Sequence, residues 1–255
     1  MSLAACASAV EAGDPDRFAA TMAAPVAARA RLWPLYALNL ELARAPWASA
    51  EPMVAEMRLQ WWVDALAGLA TGKVPAHPIG GVLADLGPAL DPTLLIAIAE
   101  ARRWDCWHDP FPDEAAFDAH IDATAGNLMW QGARLLGAPA CAESVVRDHA
   151  YGAGLAAWLR AVPAYEARDR VPLPDRRAAA VACLAERGLA RLDRAASARA
   201  RVPAKAAPAL YWGWQARTLL TRTRRAPDAV TGDRLASSEF RRRAGLLRLG
   251  LTGRW

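Results

Sequence analysis

The segment Leu-Trp-Pro-Leu-Tyr-Ala-Leu-Asn-Leu-Glu-Leu-Ala-Arg at residues 32–44 decides the fold class. Its leucines and aromatic residues fall on several faces of a helix instead of one stripe, and a helix with that pattern is buried among other helices. Pro46 is predicted to end it, because proline cannot continue the helical hydrogen bonds. The segment therefore predicts a helix deep inside a helical bundle.

The composition of the 255-residue chain extends this prediction to the rest of the sequence. The chain is 54% hydrophobic and rich in Ala and Leu, whereas β-branched and aromatic residues are sparse, which favours helices over strands. Neither an internal repeat nor a low-complexity linker divides it. We therefore expect one all-α domain over residues 1–255.

Proline, glycine and capping residues divide the chain into further predicted helices. Besides the buried helix at 26–45, they span residues 15–22, 50–71, 93–108, 113–137, 143–163, 175–198, 206–225 and 237–251, with a short one between 78 and 91. In the helix at 50–71, an apolar stripe predicts the side that faces the core, namely Met53, Met57, Trp61 and Ala65. We expect one core around a central cavity, to which Trp33, Tyr36, Trp61 and Leu128 contribute.

Charge and cysteine usage restrict the function classes. The net charge of +5 comes almost wholly from arginine and suits phosphate groups, anionic lipid or an acidic partner. The arginines are dispersed between apolar stripes, so we expect no nucleic-acid partner. Four cysteines without a CxxC pair favour neither a zinc site nor disulfides and are predicted to be buried: Cys6, Cys106, Cys141 and Cys183. The chain shows neither a signal peptide nor a membrane span, so we expect a cytoplasmic protein.

Three segments, in this order and spacing, resemble the squalene and phytoene synthase family. They are residues 35–44, residues 55–62, and residues 154–163 continued by 170–174, with a further match at 121–130. The resemblance runs from about Asp16 to the end of the chain. It implies the all-α isoprenoid-synthase fold, a helical bundle with a central cavity.

The resemblance also implies a metal chemistry whose ligands this sequence lacks. Family members hold magnesium through pairs of aspartates on two facing helices, because the hard cation prefers carboxylates. Continuing the register places the first pair at Ala43, Arg44 and Trp47 and the second at Ala161 and Tyr165. None of these is a carboxylate. The ordinary three-magnesium mechanism is therefore not expected, and no cofactor is predicted.

The substitutions look closer to one subgroup, the mitochondrial complex I assembly factor 6 type, which shares the fold and has also lost the aspartate pairs. The similar stretches are residues 39–43, 57–62 and 159–163. This resemblance implies a pseudoenzyme that acts by binding, as an assembly factor for respiratory NADH dehydrogenase. Its partners would be subunits or assembly proteins of that complex.

Two alternatives stay open. One is an active prenyl transferase with a rearranged magnesium site built from Glu41 or from four further acids: Glu100, Asp105, Asp118 and Asp122. Those acids equally suit solvated helix faces. The other alternative is an isoprenoid or lipid carrier. Residues that could line its cavity or bind an anion are Asn39, Glu41, Arg58, Trp62, Arg160 and Arg170, although local ion pairing explains them too.

The C-terminal segment combines arginines with leucines. Arg241, Arg242, Arg243 and Arg248 occur in one segment with Leu246, Leu247, Leu249 and Leu251, before the terminal Trp255. Such a helix can lie on an anionic membrane surface, which would place the protein at the inner face of the cytoplasmic membrane. It can equally be a final bundle helix that packs its leucines inward and leaves its arginines in solvent.

Overall fold

The computed structural model describes residues 1–232, 234–235 and 238–255, and these residues contain helices and turns but no strand. The all-α prediction is confirmed. The helices are α1 (Leu3–Gly13), α2 (Pro15–Met22), α3 (Val26–Arg44), α4 (Pro52–Leu69), α5 (Gly80–Ala84), α6 (Pro92–Ala101), α7 (Glu114–Ile121), α8 (Asn127–Leu135), α9 (Glu143–Glu166), α10 (Ala178–Ser197), α11 (Ala216–Arg225) and α12 (Glu239–Thr252).

Short non-α turns connect several of these helices. A short π-helical segment, Asp122–Gly126, joins α7 to α8, and we call it the π-turn. The 3₁₀ turns are Ala45–Trp47, Gly87–Ala89, Arg102–Cys106, Ala140–Ala142, Arg199–Arg201, Ala207–Gly213 and Pro227–Ala229. Within the part of the chain that is described, no helix is long and apolar enough to cross a bilayer.

Helix starts follow the capping chemistry that the sequence predicts. The side chain of Asp14 accepts a hydrogen bond from the backbone N–H of Arg17 at the start of α2, and Asp91 accepts one from Thr93 at the start of α6. Each cap satisfies a backbone donor that has no partner inside its helix. A proline follows each cap at the first helical position, where its missing N–H costs nothing.

Two helices organise the interior. The second half of α3 is buried on nearly all sides, as its sequence predicts, with Tyr36 1% exposed. The long helix α9 packs against α8, α10, α11, the π-turn and the 207–213 turn. Trp33 and Leu128 are also buried in this core.

The predicted core-facing side of α4 is wrong. Met53 is 70% exposed, Met57 66% and Trp61 40%. The helix turns another face to α6 and to the 45–47 and 102–106 turns, and that face buries Ala55, Leu59, Trp62 and Leu66. Apolar residues occur on more than one side of α4, so periodicity alone did not identify the buried side. The result is an exposed apolar ridge formed by Met53, Met57 and Trp61.

Several predicted boundaries also differ from the structure. Pro163 does not end α9, because the N–H of Ala167 bonds back to the Pro163 carbonyl and carries the helix one more turn to Glu166. The predicted helix at 113–137 contains the π-turn, and the one at 93–108 tightens into a 3₁₀ turn after Ala101. Helix α1 was not predicted. The predicted start of the last helix, Ser237, lies outside the described residues.

The cysteine prediction holds for two of the four residues. Cys6 and Cys106 are buried, whereas Cys141 and Cys183 are exposed. Cys141 lies in the short 140–142 turn, and Cys183 lies on the outer face of α10. Sequence composition gives a residue's usual environment, but it does not give the side of a helix on which the residue lies.

We predict that Gly154→Ala destabilises the fold. A Cβ at Gly154 would lie 2.4 Å from the Cβ of Ala125 and 3.1 Å from Cγ2 of Ile121, where α9 crosses the π-turn. Forcing the two segments apart should lower the free energy of unfolding by about 1–3 kcal/mol, measured by urea denaturation. Gly81→Ala is the matched control, because nothing lies within 4 Å of its added Cβ. Equal stability of the two variants would contradict the close crossing.

Candidate functional site

A small cavity lies inside the bundle, between α3, α9 and the 207–213 turn. Its volume is about 160 Å³. Small-molecule sites typically measure about 300–1,000 Å³, so this cavity is below that range. Polar and charged side chains form part of its wall, together with the family position Ala161: Arg17, Asn39, Arg102, Thr124 and Tyr165.

The side chains of Asp105, Arg102 and Tyr165 form a buried cluster beside this cavity. The Asp105 side chain is fully buried. Its Oδ1 accepts a hydrogen bond from the Tyr165 hydroxyl at 2.9 Å, and its Oδ2 accepts one from Arg102 at 3.1 Å. Burial raises the pKa of Tyr165 above its usual range, and Asp105 raises it further, so the phenol stays a neutral donor. Both oxygens of Asp105 are therefore occupied by protein groups.

Aromatic rings fill the space around Tyr165. Its ring stacks on Trp158 with centroids 4.9 Å apart and meets Trp47 edge-on at 5.4 Å. The guanidinium of Arg170 lies over Trp47 and also donates to the carbonyl of Trp107. The structure thus brings together Trp47 and Tyr165, one position from each of the two motifs, and links them by ring contacts.

Several other predicted site residues line a separate surface cavity of about 220 Å³. Arg44, Arg58 and Trp62 line it, and Glu41 lies there too, with its carboxylate 3.7 Å from Nε2 of His77. Ala43 precedes Arg44 and is partly buried in the last turn of α3. The structure therefore separates these residues from Asn39, which faces the interior cavity.

Arg160 lies away from both cavities that contain motif positions. Its Nη1 is 2.5 Å from Oδ2 of Asp16, and Arg242 of α12 approaches the other oxygen of the same carboxylate. Burial alone would raise the pKa of Asp16, but the hydrogen bond from Arg160 and the charges of both arginines lower it. Arg160 and Arg242 thus join α9 and α12 to α2.

The candidate magnesium ligands are engaged by basic side chains. Glu100 is 2.6 Å from Arg103, and Asp122 is 3.2 Å from Arg147. Asp118 is 3.2 Å from Arg187 and also accepts a 2.6 Å hydrogen bond from Tyr151. Asp105 is held by Arg102, as above. These acids are dispersed, each with its own partner.

The donor set does not fit a magnesium site. Within the described ranges, no three His, Cys, Asp or Glu side chains lie close enough together to hold a metal ion. Magnesium is bound through carboxylate oxygens, and the two motifs supply an alanine and aromatic residues at the interior positions instead. We therefore assign no catalytic step to a metal in this chain.

Residues 10–178 match the family model described as squalene/phytoene synthase. The chain belongs to the squalene/phytoene synthase family. No match was found among curated proteins. The fold is similar to that of a dehydrosqualene synthase solved with a ligand, with a TM-score of 0.82 at 14% identity over 97% of this chain and 94% of that one.

A second solved structure supports the same fold. It is the squalene synthase HpnC from Alicyclobacillus acidocaldarius, with a TM-score of 0.75 at 13% identity over 88% of this chain and 93% of that one. At such low identity the likeness shows the fold alone. The predicted family and its isoprenoid-synthase fold are confirmed.

The sequence did not indicate Arg17, Arg102 or Trp212 as residues that line the interior cavity. Arg17 lies over the rings of Tyr36 and Trp212, with centroid distances of 5.2 and 4.8 Å. Arg102 reaches Asp105 from the turn that follows α6. The contact between Arg17 and Trp212 joins distant parts of the chain, and no local pattern signals it. The pairing of Arg102 with Asp105 does have a local signal, because the two residues are three positions apart.

We predict that Asp105→Asn strongly destabilises the protein. It would leave the Arg102 guanidinium partly buried without its counter-charge, and removing one partner of a buried pair costs about 3–5 kcal/mol. Glu100→Gln is the matched control, because the pair of Glu100 with Arg103 is more exposed and such pairs contribute about 0–1 kcal/mol. The free energies of unfolding in urea compare the two. If Asp105→Asn lowers the free energy of unfolding as little as Glu100→Gln does, the Asp105 cluster is not needed for stability.

We also predict that the protein loses stability as the pH falls from about 6.5 to about 4. Burial lowers the pKa of His120 to about 4, with Arg102 adding to the effect and Asp105 opposing it. Burial likewise lowers the pKa of His149 to about 4, assisted by Arg199 and Arg217. In this window the unfolded chain binds more protons than the folded one, so the stabilisation is fully present only above pH 6.5.

The difference between the pKa of about 4 in the folded chain and about 6.5 in the unfolded chain corresponds to a stability loss of about 3 kcal/mol for each histidine. His120→Phe should reduce the loss between pH 6.5 and pH 4 in urea-denaturation series. His108→Asn is the control, because His108 is exposed. A pH dependence unchanged by His120→Phe would contradict this assignment.

Proposed function

We propose that this chain acts by binding and not by prenyl transfer, and that it is an assembly factor for respiratory NADH dehydrogenase. One observation carries the proposal: three acids that could have replaced the family's metal ligands, Asp105, Asp118 and Asp122, are each bonded to an arginine or a tyrosine. The motif positions themselves hold no carboxylate, since they are Ala43, Arg44, Trp47, Ala161 and Tyr165.

The electrostatics of the reaction support this proposal. Ionising an allylic diphosphate requires cations that offset the charge of the leaving group. Recruiting Asp118 as a metal ligand would first have to break its bonds to Arg187 and Tyr151. The interior cavity, at about 160 Å³, is also smaller than a typical ligand site, which weighs against the carrier alternative at that position.

The assembly role rests on the resemblance of residues 39–43, 57–62 and 159–163 to the complex I assembly factor subgroup. Two exposed surfaces suit a protein that acts through its exterior. One is the apolar ridge of α4, because exposed apolar patches often mark interaction sites. The other is the outer face of α12.

Helix α12 has the amphipathic pattern of a helix that lies on a membrane. Phe240, Leu247 and Leu251 are 82%, 65% and 78% exposed and fall on one face at helical spacing. Arg243 and Arg248 flank that face, while Leu249 points inward and is buried. This arrangement supports peripheral contact with an anionic membrane surface. Arg242 is not part of it, because it is bound to Asp16 of α2, whereas Arg243, among the described residues, pairs only with Glu239 on the surface of α12 itself.

We predict that deleting the gene lowers the NADH:quinone oxidoreductase activity of the membranes by reducing the assembled complex. Isoprenoid products should stay unchanged, because no prenyl-transfer step is lost. Blue-native gels and activity stains measure the first effect, and lipid extraction measures the second. Rescue by Tyr165→Phe should succeed, because this change keeps the buried ring, although the lost hydrogen bond to Asp105 should lower the stability of the protein.

The membrane contact is tested in the same rescue assay. Leu247→Glu should impair membrane association and rescue, since it places a negative charge on the exposed apolar face. Thr252→Glu adds the same charge to another exposed position of α12 and serves as the control. Loss of an isoprenoid product with intact respiration would overturn the assembly proposal. Magnesium-dependent product from farnesyl diphosphate that disappears with Asp118→Ala would overturn the binding-only proposal.

A further inference from the structure

Another cavity lies outside the centre of the bundle. It is bordered by α10, α12 and the start of α11, and its volume is about 580 Å³. This volume falls within the range of about 300–1,000 Å³ that is typical of small-molecule sites. None of the motif positions that resemble the family lines it. We call it the C-terminal cavity.

Among the described residues, four arginines of the C-terminal cavity have no acidic partner: Arg199, Arg241, Arg248 and Arg254. Elsewhere, arginines such as Arg147 and Arg187 are paired with acids. For these four, by contrast, no carboxylate among the described residues lies within ion-pair distance. Burial lowers the pKa of Arg199, and the charges of Arg254 and Arg248 lower it further. Like charges held together in this way favour an anion between them.

Two buried hydrogen-bond donors of residues that line this cavity have no acceptor among the described residues. Nε of Arg199 and Nε1 of Trp214 are buried, and neither has a hydrogen-bond partner in the described structure. Both groups can only donate. A buried donor without an acceptor is costly, and an oxygen-rich ligand would supply what is missing.

Ring packing fixes the position of the Arg199 guanidinium. The guanidinium of Arg199 lies 4.7 Å from the ring centroid of Trp255, and Trp255 in turn meets His149 edge-on at 4.8 Å. His149 is buried, and its Nε2 donates to the carbonyl of Leu210 at 3.2 Å. A guanidinium held in this way needs little ordering on binding, which favours affinity.

Part of the remaining lining is apolar. Leu192, Ala196 and Leu249 contribute hydrophobic surface, and the exposed ring of Phe240 lies at the same cavity. The site therefore combines cationic with apolar side chains. An amphiphile with an anionic head would contact both.

We propose that the C-terminal cavity binds a phosphate-bearing amphiphile through direct arginine contacts, without a metal. The guanidinium groups of Arg199, Arg248 and Arg254 suit a phosphate, because its several oxygens accept paired N–H donors and its charge exceeds that of a carboxylate. The ligand is either a soluble phosphate ester with an apolar chain or the headgroup of an anionic phospholipid. The site shares Phe240 and Arg248 with the outer face of α12, but it does not depend on the proposed assembly role.

The test uses the full chain with dodecyl phosphate below its micelle concentration, in the presence of EDTA. Tryptophan fluorescence and calorimetry should report binding at one site, since Trp214 and Trp255 line the cavity. Arg248→Gln combined with Arg254→Gln should weaken binding at least about tenfold, because two charge-assisted contacts are lost. Both residues are exposed, so the fold should be retained. Arg31→Gln with Arg177→Gln removes two charges from exposed positions elsewhere and is the control.

A second arm uses flotation with vesicles that contain phosphatidylglycerol, compared with neutral vesicles. Loss of dodecyl phosphate binding in the Arg248/Arg254 variant identifies a soluble phosphate ester. Loss confined to the anionic vesicles identifies a lipid headgroup. If neither probe distinguishes this variant from the Arg31/Arg177 control, the site does not exist as proposed. Binding that requires magnesium would overturn the direct arginine contact.

Discussion

The carboxylate of Asp105 is fully buried, and an ion in the protein interior is tolerated only when opposite charge and hydrogen bonds replace its water. Arg102 and Tyr165 supply both. This requirement ties the turn after α6 to α9, because Tyr165 lies in the last turn of α9. Trp47 then packs on the ring of Tyr165 and brings the end of α3 to the same place. The centre of the bundle is thus held by an ion pair and stacked rings.

The same matching of charge is repeated at Asp118 and Asp122, each of which faces an arginine from α9 or α10. A carboxylate bonded to a guanidinium is a poor ligand for a cation, because binding would expose an unpaired arginine. The C-terminal cavity shows the reverse distribution, with arginines that lack acids. Asp105, Asp118 and Asp122 therefore serve structure, whereas the C-terminal cavity holds arginines without acidic partners among the described residues, and anions are its favoured ligands.

Local sequence patterns predicted what depends on local physics. The burial of α3, the helix starts near residues 15 and 93, and the family followed from short segments. Features that depend on distant contacts did not follow. The buried face of α4 is chosen by α6 and two turns, and Arg17 meets Trp212 only after the chain has folded. The C-terminal cavity was missed for the same reason, since Arg199 and Arg254 lie on separate segments whose distance no pattern encodes.

The residues at the predicted motif positions also avoid an electrostatic repulsion that paired aspartates would create there. Aspartates that face one another across a cavity repel, and they need bound magnesium to offset that cost. Alanine and tyrosine at positions 161 and 165 remove the repulsion, and the rings of Trp47 and Trp158 replace polar surface with packed contacts. The interior cavity, at about 160 Å³, is also smaller than a typical small-molecule site. Selection for binding would then act on the exterior, where the ridge of α4 and the outer face of α12 leave apolar side chains in solvent.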